Sequence, residues 1–88
     1  MTVYVDDMYR SPIGRFGRMK MSHMVADRRS ELFDMARRIG LDWKWIQYPN
    51  DATRCHFDVS MSMRRKAVAA GAVEVTMRDV ARHLTKLD

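Results

Sequence analysis

MARRIGLDWKWI, residues Met35–Ile46, carries an amphipathic helix into a glycine and then into a β-prone segment rich in Trp. The same rhythm returns at Ala67–Met77, AVAAGAVEVTM. In each, the glycine (Gly40, Gly71) takes the left-handed position that stops a helix. The spacing predicts strands at Leu41–Ile46 and Ala72–Val75, with Trp43 and Trp45 on one strand face and Lys44 on the other. Strands separated by helices pair in parallel through right-handed crossovers. The expected fold is therefore α/β: a small three-layer domain with a mostly parallel sheet of three or four strands and three helices.

Working outward, Thr2–Val5 is a run of β-formers without alternation, as in a strand buried on both faces at the sheet centre. Met8–Met24 has no clean period and holds Pro12, Gly14 and Gly17, so it reads as a long basic loop with a short extended piece at Arg18–Met21. Loops this long in small domains usually carry function. The first helix has Asp27 as its cap, Glu31 in its first turn, and a stripe of Leu32, Phe33, Ala36 and Ile39. Tyr48-Pro49-Asn50-Asp51 is a turn. Cys55–Val59 is extended, and Ser60 or Ser62 caps a second helix to about Ala70. Thr76 and Asp79 form a capping box for a last helix with Met77, Val80, Ala81, Leu84 and Leu87 on its buried face. His83, late on that helix, complements its dipole.

With 88 residues the chain reads as one domain over 1–88, near the lower limit for a single core. No apolar run reaches the ~18 residues of a membrane span. No basic and apolar leader opens the chain, so the expected location is the cytoplasm. The lone Cys55 forms no internal disulfide, and its neighbour His56 points to the opposite face of an extended segment, so the thiol is expected to be inert. The net charge of +5 is uneven. Arg10, Arg15, Arg18, Lys20, Arg28 and Arg29 face one acid, Asp27, between Tyr9 and Arg29. Such a stretch suits a polyanion or simply keeps a loop solvated.

The residues with chemistry are Asp6, Asp7, His23, Asp27, His56 and Asp58. In open α/β sheets ligands bind beyond the carboxyl ends of strands, where Asp6 and Asp7 stand. Strand-terminal carboxylates suit Mg²⁺ or Mn²⁺, which polarise phosphoryl oxygens or activate water. His56 and Asp58 share a face of an extended segment, as a base and its orienting carboxylate or as two ligands. Each of these residues also has a plain structural role open to it: a cap, a core-edge imidazole, a polar network. Trp43 and Trp45 read as core packing ahead of a base-stacking platform.

VYVDD, SHMVAD, EL..MA..IGL, HFDVS and R..A...GAVEVT together resemble a family of small bacterial and phage proteins, the domain of unknown function numbered four thousand and thirty-one. The likeness runs from Val3 to about Thr76, with Met24 for the usual Leu and Phe57 for the usual Tyr. It implies that Asp6, His23, Asp27, His56, Asp58 and Arg64 or Arg65 are the matching polar positions, and it implies no activity.

Two functions follow as expectations. The first is a phosphate- or nucleic-acid-recognising domain acting as a metal-assisted phosphoesterase: Asp6 and Asp58 hold Mg²⁺ or Mn²⁺, His23 or His56 is acid or base, and Arg10, Arg15, Arg18, Lys20 and Arg64 hold phosphate. The second is a non-catalytic phage-encoded protein that inhibits or adapts host nucleic-acid or defence machinery by binding a host protein. Neither needs a membrane.

Overall fold

The three β-formers Val3–Val5 make the first strand, β1, with Val3 and Val5 buried and Tyr4 on the other face. The computed structural model describes residues 2–51 and 54–86. After β1 come β2 (Arg15–Phe16), β3 (Met19–Ala26), α1 (Arg29–Ile39), β4 (Phe57–Ser60), α2 (Met61–Ala69), β5 (Val73–Glu74) and α3 (Met77–Lys86). Short 3-10 turns lie at Met8–Arg10, Pro12–Gly14 and Trp43–Trp45.

The α/β character and the three helices stand, but the sheet is mixed. Its order is β5–β1–β3–β4, and β2 folds back on the outer end of β3 with Arg15 opposite Lys20. Only β1 and β5 run parallel among the described strands. The cause is β3, an eight-residue strand in what reads from sequence as a loop. It lies antiparallel to β1, with Val5 opposite Met24, and antiparallel to β4, with His23 opposite Asp58. Its period is hard to see because its two halves have different surroundings. The first half is largely exposed, and the second is buried on both faces. Gly17, at φ +61°, turns the hairpin that leads into it.

Leu41–Ile46 is not a strand. The Asp42 carboxylate accepts from the Lys44 N–H at 2.9 Å and closes a 3-10 turn over Trp43–Trp45. Trp43 and Trp45 therefore stand outside the core, 51% and 61% exposed. Asp27 does not cap α1, whose first turn has Arg28 at its cap position. Instead its carboxylate accepts from the Thr2 N–H and the Tyr4 hydroxyl, each at 3.1 Å, and ties β1 to the end of β3. Gly40 does end α1 in the left-handed region, and Ser60 does cap α2 by accepting from the Met63 N–H. Thr76 and Asp79 exchange their capping-box bonds at 3.1 Å. Asp7 adds a third bond at that helix start, from the Met77 N–H across 70 residues of chain. The side chains of His83, Leu84 and Leu87 lie outside the described residues.

One sheet face carries Val3, Val5, Met24, Ala26, Phe57 and Val59 into the core, against Leu32, Met35, Ala36 and Ile39 of α1 and Ala67 of α2. α1 and α2 also pack on each other. On the opposite face, Met77, Val80 and Ala81 of α3 share a cleft with His23 and Val25 of β3. The sheet thus separates an apolar layer from a face that holds the ionisable residues.

Gly14 sits where the chain after β1 crosses back over β3. A Cβ there would overlap the Met8 carbonyl and lie within 2.9 Å of the Met21 oxygen. Both obstacles are backbone, which cannot swing aside. We expect Gly14→Ala to lose about 1–3 kcal/mol of stability, as overpacked sites do, measured by urea unfolding; an unchanged midpoint contradicts this packing.

Candidate functional site

Alternation along β3 and β4 sends Ser22, Met24, Phe57 and Val59 away from the α3 face and leaves His23 and Asp58 as a cross-strand pair on it. His56, two residues before Asp58, joins the same face, and its backbone pairs with Gln47 in both directions at 2.9 and 3.2 Å. Asp6 follows the last residue of β1 on the other side of β3. Its N–H donates to the His23 carbonyl at 3.1 Å.

Asp6 is fully buried, and both oxygens of its carboxylate have partners. Oδ1 accepts from the His23 N–H at 2.8 Å and the Met8 N–H at 3.1 Å, and Oδ2 lies 2.6 Å from His23 Nδ1. With Nδ1 held by this contact, the other ring nitrogen of His23, Nε2, lies outside it. His56 is set the same way. Its Nδ1 donates to the Arg54 carbonyl at 2.6 Å, which turns its Nε2 towards Asp58 Oδ1 at 3.5 Å. The two imidazole rings meet edge to face at 5.1 Å. Asp58 Oδ2 accepts from Gln47 Nε2 at 2.6 Å, and Asp58 Oδ1 is buried with no hydrogen-bond partner among the described residues.

One ring nitrogen from each of His23 and His56 and one oxygen of Asp58 lie within 4.8 Å of one another. Donors on a single ion sit up to about 4.2 Å apart, twice a typical metal–nitrogen distance. Small side-chain rotations would close the set. Metal-bound histidines commonly give their second ring N–H to a carboxylate or carbonyl, and both histidines here do. Burial pulls the His56 pKa down, but the Asp58 hydrogen bond, the Arg54 carbonyl and the charges of Asp58 and Asp6 outweigh it and hold it above the ordinary value. The bond from His56 holds Asp58 below the usual carboxylate range against its burial, with help from Gln47 and the charges of His56 and His23.

The structure thus brings His23, His56 and Asp58 together and places Asp6 behind His23 as its orienting group. Asp6 stands outside the His23, His56 and Asp58 group, and its two oxygens accept from the Met8 and His23 N–H groups and face the His23 ring. Arg64 is not placed to hold phosphate. It is buried, its Nε donates to the Asp6 carbonyl, its Nη1 pairs with Glu74 at 2.7 Å, and its guanidinium lies 4.8 Å from the Tyr9 ring centre. Arg10, Arg15 and Lys20 line a different cleft of about 400 Å³ with Tyr9, Ser11 and Pro12. Arg18 is exposed at the hairpin tip. Cys55 is buried, which pushes its thiol pKa up despite the nearby Arg29, so it is a poor nucleophile.

Three residues of the site carry no sequence signal beyond a turn: Gln47, Tyr48 and Arg54. With His23, His56 and the α3 residues, Tyr48 and Arg54 line a cleft of about 330 Å³. Tyr48 holds φ at +53°, left-handed for a bulky side chain, at a cost of about 1–2 kcal/mol. Its ring lies 6.1 Å from that of His56, with the Arg54 guanidinium 5.6 Å from its centre.

The chain belongs to the family described as "Protein of unknown function (DUF4031)", whose family model matches residues 3–87. No curated protein and no solved structure matches the chain.

The raised His56 pKa and lowered Asp58 pKa make the pair a pH-dependent stabiliser. Its His56 part is complete below the ordinary imidazole pKa and fades as pH rises through the raised folded value. Its Asp58 part is present above the ordinary carboxylate pKa and is lost as pH falls through the lowered folded value. With EDTA present, Asp58→Asn should lower the His56 pKa in an NMR titration and remove the loss of stability above neutral pH; an unchanged His56 titration contradicts the pairing.

Proposed function

We propose that this chain is a divalent-metal-dependent phosphoesterase-type domain for nucleotides or nucleic acid, centred on His23, His56 and Asp58. The observation that carries it is the convergence of two imidazoles, each with its Nδ1 engaged by an acceptor, on one carboxylate, Asp58, with one donor atom from each of the three within 4.8 Å of the others. Two nitrogens and one oxygen suit Mn²⁺, Zn²⁺ or Fe²⁺; of Mg²⁺ and Mn²⁺ they favour Mn²⁺, since Mg²⁺ prefers oxygen ligands. Such an ion, when bound, lowers the pKa of water and polarises a phosphoryl oxygen.

The chain's own residues supply the rest. Asp6 fixes the ring of His23, Gln47 fixes the carboxylate of Asp58, and Arg54 stands at the cleft to meet a phosphate. Arg10, Arg15 and Lys20 add a second cationic cleft, suited to the backbone of a longer polyanion. A second reading, a phage-derived protein that binds a host protein without catalysis, draws on the buried, hydrogen-bonded Asp6. A carboxylate with donors on both oxygens also serves a scaffold.

Thermal melting separates the two. Mn²⁺ or Zn²⁺ at 100 times its dissociation constant should stabilise the wild type by about 2.7 kcal/mol and leave His56→Ala unmoved, and the metal-loaded wild type should cleave a phosphodiester. The metal reading falls if neither ion shifts the wild-type melt. The basic cleft has its own measurement. In nucleic-acid binding across a salt series, Arg15→Ala and Lys20→Ala should each flatten the log–log slope by roughly 0.7–0.9. The melting temperature should hardly change, because exposed charges contribute little to stability.

A further inference from the structure

The row Trp43, Lys44, Trp45, Gln47, Tyr48 is bolted to the site yet turned to solvent. Gln47 pairs its backbone with His56 and its side chain with Asp58. On either side of it, Trp45 and Tyr48 are 61% and 51% exposed. Trp43 is half exposed but held rigid. Its indole N–H donates to the Phe33 carbonyl at 3.1 Å and its ring meets Phe33 edge to face. Two of the aromatics have a cation at the ring: Lys44 Nζ is 5.2 Å from the Trp45 ring centre and Arg54 Cζ is 5.6 Å from that of Tyr48. The left-handed backbone at Tyr48 keeps its ring beside His56, inside the cleft.

We infer that Trp43, Trp45 and Tyr48, with Lys44 and Arg54, form a stacking platform for unpaired nucleic acid that delivers a strand to His23, His56 and Asp58. The inference rests on the phosphoesterase reading and names its substrate class. Rings with cations at their side offer one surface for a base and one for its phosphate, the pairing that single-strand binders use. A duplex keeps its base faces stacked inside and has nothing to lay on these rings. Local charge is balanced in number, because Asp42 and Asp51 stand against Lys44 and Arg54 in this stretch and Asp51 pairs with Arg54. Stacking, not ion release, therefore supplies the affinity of this surface. Salt dependence comes from the cleft at Arg10, Arg15 and Lys20.

The chain's only two Trp residues both lie on the platform, so intrinsic fluorescence reads it directly. The experiment titrates the full chain, in EDTA to prevent turnover, with dT12, rU12 and a 12-base-pair DNA duplex. Quenching by dT12 or rU12 at least ten-fold tighter than by duplex is expected, and the two single strands show whether DNA or RNA is preferred. Trp45→Ala should weaken single-strand binding by about ten-fold or more, read by anisotropy of a labelled strand, with an unchanged salt slope and an unchanged melt. Trp45→Phe, which keeps a ring, should recover most of the loss. Equal binding of duplex, no binding of either strand, or full affinity in Trp45→Ala overturns the platform; a protein partner then remains for this surface. Cleavage of a small chromogenic phosphodiester, which has no strand to lay on the platform, reads the metal site of the wild type separately. Its failure counts against the phosphoesterase reading and not against stacking.

Discussion

A single buried residue, Asp6, ties the end of β1 to three other parts of this chain: the turn at Met8, strand β3 and helix α2. Its side chain receives the backbone N–H of Met8, the backbone N–H of His23 and the His23 ring, while its own main chain bonds β3 through the His23 carbonyl and α2 through Arg64. Burying an ionised group is costly unless donors replace the water it loses. Here they come from the turn after β1, from the central strand and from an imidazole. Removing the carboxylate would strand those donors in the interior; removing the His23 ring would leave Oδ2 without the partner shown for it. The same contacts aim a ring nitrogen at His56 and Asp58, so folding and the geometry of the site share one anchor.

Local signals were legible where the chemistry is local. The left-handed stop at Gly40, the Ser60 cap and the Thr76–Asp79 box depend on a few adjacent residues, and each stands in the structure. The β1–β5 parallel pair also followed from the helix–glycine–strand rhythm of Ala67–Met77. Strand β3 was not legible. It owes its form to pairing with β1, 19 to 23 residues earlier, and with β4, 33 to 39 residues later, and its burial changes along its length, which erases the period. The reading of Met35–Ile46 failed for a different reason. Trp and Ile favour strands, but Asp42 placed before Lys44 offers a side-chain acceptor that wins the next turn.

The candidate site divides along the same line. His23, His56 and Asp58 could be picked out by residue type, and the sheet brings them together because β3 lies against β4 with His23 opposite Asp58. Arg64 was misread because its charge suggested an outward role, whereas its neighbours on β5 and the turn after β1 offer it Glu74, a carbonyl and the Tyr9 ring. Gln47 and Tyr48 were invisible, since a turn sequence says nothing of what the turn will lean against.

The two-sided use of β3 bears on how this chain can change length over time. Ser22, Met24 and Ala26 serve one face, and His23 and Val25 the other. Gaining or losing one residue within 21–26 would exchange the faces, turning an imidazole into the apolar layer and a methionine into the cleft. Length variation is therefore confined to places that do not transmit a shift. The tip at Gly17-Arg18 is one, because β2 has only two residues and ends in a solvent-exposed bend. Among descendants of this fold, the hairpin arm is free to lengthen while the strand behind it keeps count.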